Sequence, residues 1–195
     1  MYRTAVLWVF LAVVAIVAVD LVLRLVLRRQ APDVGERPAG SGLFGWLRVA
    51  VNVLGFAALI LAASTSLSAL LTTTEGQLTG DRLIWHVGSA PAFALAAVAI
   101  ALFWAHRNRF SAADWSRLTS PGDWAIPLRK LFFWIAVALA IPTLVSILAA
   151  MFPLFGTDDQ QTLVEIHRYC ALPLAAAGLL FAYFALVTWR ERSQD

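Results

Sequence analysis

Apolar residues fall along this chain in five long runs separated by short polar connections. A membrane-crossing helix needs roughly 20 apolar residues to span about 30 Å of hydrocarbon. The runs at about 5–27, 43–71, 83–104, 126–152 and 163–189 reach that length. Between them stand turn formers such as Gly40, Gly42, Gly76, Pro121, Gly122 and Gly156. The expected fold is all-α, a five-span transmembrane helical bundle forming one membrane domain over residues 1–195. The first run is too long for a signal peptide and lacks a small-residue cleavage site, so it is read as a retained helix. Within it Asp20 lies one turn before Arg24, an i,i+4 spacing that lowers the cost of both charges.

Composition supports this reading. The chain is 61% hydrophobic and 14% charged, with a mean hydropathy of +0.76. A soluble domain is about half apolar and a quarter charged, which excludes a water-soluble enzyme and a disordered chain. The net charge of +3 is sorted by side and is no nucleic-acid footprint. With the loops 28–42 and 105–125 on one side, every Lys and Arg except Arg3, Arg82 and Arg168 falls on that side. The positive-inside rule then places the N-terminus out and the C-terminus in, in a cell inner (cytoplasmic) membrane. Trp8 and Trp85 fall near outer ends, and Trp46, Trp104, Trp124, Trp134 and Trp189 near inner ends, as interfacial anchors. In the longer inner loop, Ser111 and Asp114 have the spacing of a capping box and predict a short interfacial helix through Trp115 and Leu118.

Chemistry-bearing residues are few. Cys170 is the single cysteine, so there is no internal disulfide, no covalent c-type haem and no paired-cysteine zinc site. No nucleotide-binding or hydrolase motif occurs. Three histidines remain, His86, His106 and His167. His86 opens the third run and His167 the fifth. One span intervenes, so the two run in parallel and carry both imidazoles to the same side at similar depth. Two imidazoles from two helices can ligate one haem b iron axially. Small residues follow each, and Pro91 and Pro173 bend the helices beyond. Arg82 and Arg168 stand near enough to pair with haem propionates. His106 lies twenty residues after His86, about 30 Å along a helix, and cannot serve the same iron; it is a headgroup-zone residue, with a quinone or second-site role as the functional alternative. Met151 is read as core filling, and Cys170 as a small packing residue. Ser64, Thr65, Ser66, Ser68 and Asn52 are read as bonding to backbone or between helices.

Three stretches then resemble the b-type membrane cytochromes, and most closely the gamma subunit of formate dehydrogenase and its relatives. They are Trp85–His86 through Trp104, the linker from Asp114–Trp115 to Trp134, and Glu165–His167–Arg168 through Phe181 to Phe184. The resemblance covers about residues 43–190. It implies a bundle with haem b between helices, passing electrons between a quinone pool and a partner redox subunit. It also implies a further histidine about fourteen residues into the last helix; Phe181 stands there, which argues against a second haem. The expectation is an electron-transfer subunit with one outer-side haem, dependent on other membrane or periplasmic redox subunits and not catalytic alone. The competing reading is a haem-free membrane anchor of a multi-subunit complex. A transporter is disfavoured because no mid-membrane charge pair or broken-helix repeat is evident.

Overall fold

The computed structural model describes residues 2–27, 45–47, 49–51, 53–55, 57–58, 60–61, 64, 78–119, 124–152 and 154–192. Five helices are bounded: α1 (Tyr2–Leu27), α2 (Asp81–Trp104), α3 (Ala112–Thr119), α4 (Ala125–Met151) and α5 (Thr157–Arg192). The residues described between 45 and 64 are helical as well, and no strand occurs among the described residues. The loop expected over 28–42 lies outside them.

By length and composition α2, α4 and the Thr157–Thr188 part of α5 can each cross a membrane; the apolar stretch Leu11–Val22 of α1 is shorter. Their surfaces are those of a chain in an apolar solvent. Large aliphatic side chains such as Leu95, Leu102, Ile141 and Leu186 point outward. Buried positions include Ser89, Thr143, Ser146 and Thr188, small polar residues that bond to their own helices and let neighbours approach.

α4 and α5 form the most extensive packed pair. Aromatic rings fill it: Phe132 stacks on Phe184 at 5.9 Å and Phe133 tilts onto Phe181 at 5.6 Å. α1 joins through Val13 and Val17, which pack on Ala125, Leu180 and Phe184. α1 is also fastened by a polar bond. Asp20, 4% exposed, accepts from Trp124 Nε1 at 3.1 Å and from Tyr183 OH at 2.8 Å. The expected partner Arg24 is described by its backbone only, so that pairing lies outside the described residues. The tertiary bonds come from a helix start and a helix face 104 and 163 residues away. Trp124 therefore bonds inside the bundle rather than serving only as an interfacial anchor. Trp134 does likewise, donating from Nε1 to the carbonyl of Asn108 at 2.8 Å.

These contacts set directions. The end of α1 near Asp20, the start of α4 and the last turns of α5 share one end of the bundle, here the arginine end. α2 and α5 begin at the other, the histidine end. The Cβ that a side chain would add at the buried Gly55 lies 2.7 Å from Ile100 Cδ1 and 3.1 Å from Ala96 Cβ on α2. Gly55→Leu is thus expected to separate this segment from α2 and cost about 1–3 kcal/mol by overpacking. A lowered thermal aggregation midpoint in detergent, with a much smaller drop for Gly55→Ala, is the check. Gly80 opens α2 at φ +59°, a conformation suited to glycine, and its carbonyl accepts from Leu83 and Ile84.

α3 forms where the capping-box spacing places it. Asp114 reaches back to accept from Ser111 N–H at 2.6 Å and from the Ser111 hydroxyl at 2.7 Å. It also accepts from Lys130 Nζ at 2.8 and 2.9 Å, which ties α3 to the first turns of α4. Burial pushes the Asp114 carboxyl up, but Lys130 and the two Ser111 donors outweigh it and hold it below the ordinary carboxylate range. A group depressed on folding stabilises above its unfolded pKa, about 3.9, and its contribution disappears as pH falls through the folded value. The fluorescence of Trp115, stacked on Phe110 at 5.4 Å, is expected to hold steady from neutral pH to about 4 and change below it. In Lys130→Met the midpoint moves to higher pH, because the burial persists without its compensation.

Candidate functional site

The helix that begins at Asp81 carries His86 near its start, and the one that begins at Thr157 carries His167. α5 starts earlier than the apolar run suggests because Asp158 and Asp159 occupy its first turn, where acids favour a helix N-terminus. Thr162 bonds back to the Asp158 carbonyl at 3.0 Å within it. The two imidazoles meet: their centroids are 6.2 Å apart and their planes cross at 84°.

The His167 ring is oriented by helix backbone. His167 Nδ1 lies 2.9 Å from the Thr143 carbonyl on α4. A carbonyl only accepts, so Nδ1 carries a proton, and in the neutral ring Nε2 is then the nitrogen with the free lone pair. Below His86, the buried Ser89 hydroxyl donates to the His86 carbonyl at 2.9 Å. Arg82 lies one turn before His86 and is exposed; Arg168 adjoins His167 and is half-buried. His106 is elsewhere, exposed in the turn after α2 at the arginine end. Met151 is exposed at the end of α4 and Cys170 is half-buried, with a free thiol. Ser64 bonds to the Leu61 carbonyl of its own helix at 3.0 Å; Asn52, Thr65, Ser66 and Ser68 lie outside the described residues.

A second ring pair closes the same seam at its other end. Trp104 meets Phe181 edge-on at 6.1 Å and 85°. Eighteen residues separate His86 from Trp104, five whole turns at 3.6 residues each, so both lie on one stripe of α2. Fourteen separate His167 from Phe181 on α5. Propped at both ends, the seam holds a cavity of about 160 Å³ lined by Phe93, Ala97, Phe133, Ala140, Gly178 and Phe181, among others. The sequence marked the histidine pair. It gave Trp104 only as an anchor and did not mark the cavity, although the eighteen-residue interval places Trp104 directly below His86.

Among the described residues no three His, Cys, Asp or Glu side chains gather as a metal site. A metal held by protein alone takes about four ligands. Two imidazoles are enough where a macrocycle supplies the other donors. Imidazole–metal bonds of about 2.0 Å, plus about 1 Å from each nitrogen to its ring centre, place two axial rings about 6 Å apart. The spacing of His86 and His167 agrees, and the Nδ1–H···O=C bond is the outer-shell contact that ligating histidines make. The pair thus fits a haem. Comparison of the chain with protein families, curated proteins and solved structures gives no match in any of the three.

Proposed function

We propose that the chain is a membrane cytochrome b subunit, similar to the formate dehydrogenase gamma family, that holds one haem b between α2 and α5. The observation that carries this reading is the 6.2 Å approach of His86 and His167 from two parallel helices. Bound haem supplies a one-electron redox centre whose potential the axial ligands help set. The chain's own residues do the rest. His86 and His167 would hold the haem iron through their ring nitrogens. The Thr143 carbonyl fixes the His167 tautomer and aims Nε2 away from α4's backbone. Ser89 steadies the turn below His86, and Arg82 and Arg168 are placed to take the propionates. In this reading the subunit relays electrons between a quinone pool and a partner redox subunit. One haem rather than two is favoured, since the cavity farther along the seam has no histidine in its lining and about 160 Å³ of space.

The same proposal includes five spans with the N-terminus outside, in an inner (cytoplasmic) membrane. α1 ends at the arginine end and α2 begins at the histidine end, which supports a crossing by the stretch whose described residues between 45 and 64 are helical. The bias of Lys and Arg supports the arginine end facing the cytoplasm and the haem facing a periplasmic partner.

The test is a reduced-minus-oxidised absorption spectrum of the protein purified from membranes. A b-type α band in the wild type, lost in His86→Ala, is expected. A wild type without the band overturns the haem reading and leaves the haem-free anchor. His106→Ala is expected to keep the band unchanged.

A further inference from the structure

The segment that joins α2 to α4 carries more positive charge than its own acids answer. Residues 105–119 hold His106, Arg107, Arg109 and Arg117 against a single acid, Asp114. That acid is already engaged: it is 2% exposed, and its carboxylate accepts from Lys130 Nζ and from Ser111. Among the described residues no ion pair reaches the guanidiniums of Arg107, Arg109 or Arg117. Arg109 is exposed and the other two are half-buried. The segment is also held in place. Lys130 bonds to Asp114 and Trp134 to the Asn108 carbonyl, from five and nine residues into α4, about 8 and 14 Å along its axis. The arginines flanking Asn108 therefore lie beside the first turns of a helix long and apolar enough to cross a membrane, not out beyond its end. Next to Arg109 in the chain, Phe110 stacks on Trp115, which is 63% exposed. An indole so placed is the amphipathic ring that settles at headgroup level.

We infer that residues 105–119 bind the headgroups of anionic phospholipids, with Arg107, Arg109 and Arg117 drawing the phosphodiester and Trp115 lying at the boundary with the acyl chains. A guanidinium is planar, weakly hydrated and matched to a pair of phosphate oxygens, which suits it to a half-dry boundary. A headgroup of net negative charge is favoured over a zwitterionic one, because the segment's one acid is taken by Lys130 and nothing in it answers a choline cation. An acidic protein is the lesser fit: a segment level with the first turns of a span, and bearing an exposed indole, meets lipid before it meets a soluble surface. The inference stands on this segment and not on the histidines, so it survives or fails separately from the haem reading.

The test is native mass spectrometry of the full chain in detergent, titrated with dioleoylphosphatidylglycerol or dioleoylphosphatidylcholine, which share acyl chains and differ in headgroup charge. The phosphatidylglycerol is expected to bind about tenfold or more tightly in the wild type, since each arginine near an anionic lipid supplies roughly fivefold. The triple variant Arg107→Gln/Arg109→Gln/Arg117→Gln should bring the two affinities together. If it does not fold, the single exposed change Arg109→Gln replaces it and should lower the preference about fivefold. Arg190→Gln/Arg192→Gln removes two cations from the last turn of α5, at the same end of the bundle, and should keep most of the preference. Added salt should weaken it. Equal binding of the two lipids, a preference that survives the arginine changes in 105–119, or one lost as fully in the α5 variant overturns the inference. Capture of a polyglutamate peptide without any lipid preference assigns the patch to an acidic protein and overturns it as well.

Discussion

His167→Ala is expected to lose the whole reduced α band while the protein still purifies as a folded helical chain. The physical grounds are asymmetric. In the proposed function, removing the ring would take away one of the two nitrogens that would hold the iron, and among the described residues Met151 is exposed at the end of α4 and the half-buried Cys170 lies three residues on, neither standing in its place. The structural loss is only the bond to the Thr143 carbonyl, worth about 1 kcal/mol, against an α4–α5 interface built mainly from Phe132, Phe133, Phe181 and Phe184. Added imidazole should restore part of the band in His167→Ala by entering the space the ring vacated. Restoration separates ligation from mere support of the fold, because free imidazole cannot repair a misfolded bundle. A band that persists in His167→Ala refutes the assignment of this ligand.

Asp20→Ala is expected to give the largest stability loss of any single substitution in α1. The change takes the shared acceptor from Trp124 Nε1 and Tyr183 OH, both on elements that α1 must hold. Two half-buried donors losing this acceptor cost on the order of 2 kcal/mol together. α1 packs elsewhere mainly through Val13 and Val17, so little compensates. A fall in the detergent unfolding midpoint and earlier proteolysis within α1 are the readouts. Asp20→Asn, which keeps a carbonyl oxygen for one donor, should fall between wild type and alanine. Tyr183→Phe should cost less than Asp20→Ala because Trp124 keeps its acceptor.

Much of this architecture is legible in the amino-acid order. The apolar runs locate α1, α2, α4 and α5 within a few residues, because a chain in lipid must satisfy its backbone internally and so writes its helices as long apolar blocks. The exception is the start of α5. Hydropathy places it near 163, but Asp158 and Asp159 extend it back to Thr157 through the helix dipole, a polar effect that an apolar pattern does not record. The histidine pair is legible too. Two helices separated by one crossing run parallel, and similar offsets from their starts bring His86 and His167 level. Asp20 shows the limit. Local spacing pairs it with Arg24, whose side chain lies outside the described residues, and no local rule reaches the bonds from Trp124 and Tyr183. Trp104 Nε1 and Asn108 Oδ1, buried with no hydrogen-bond partner among the described residues, are illegible for a related reason: an unpaired polar atom is defined by what the rest of the fold fails to offer it.

α5 outruns α2 at the histidine end. Ten residues precede His167 in its helix and five precede His86 in α2, so with the rings level the last helix stands about 8 Å proud at 1.5 Å per residue. That overhang is an acidic post bearing Asp158 and Asp159, both exposed, with the exposed Glu165 below it. In the proposed function, a redox partner coming from that side would meet the post first, and a basic rim on it would be steered toward the imidazoles by charge. Its docking should weaken as salt is added.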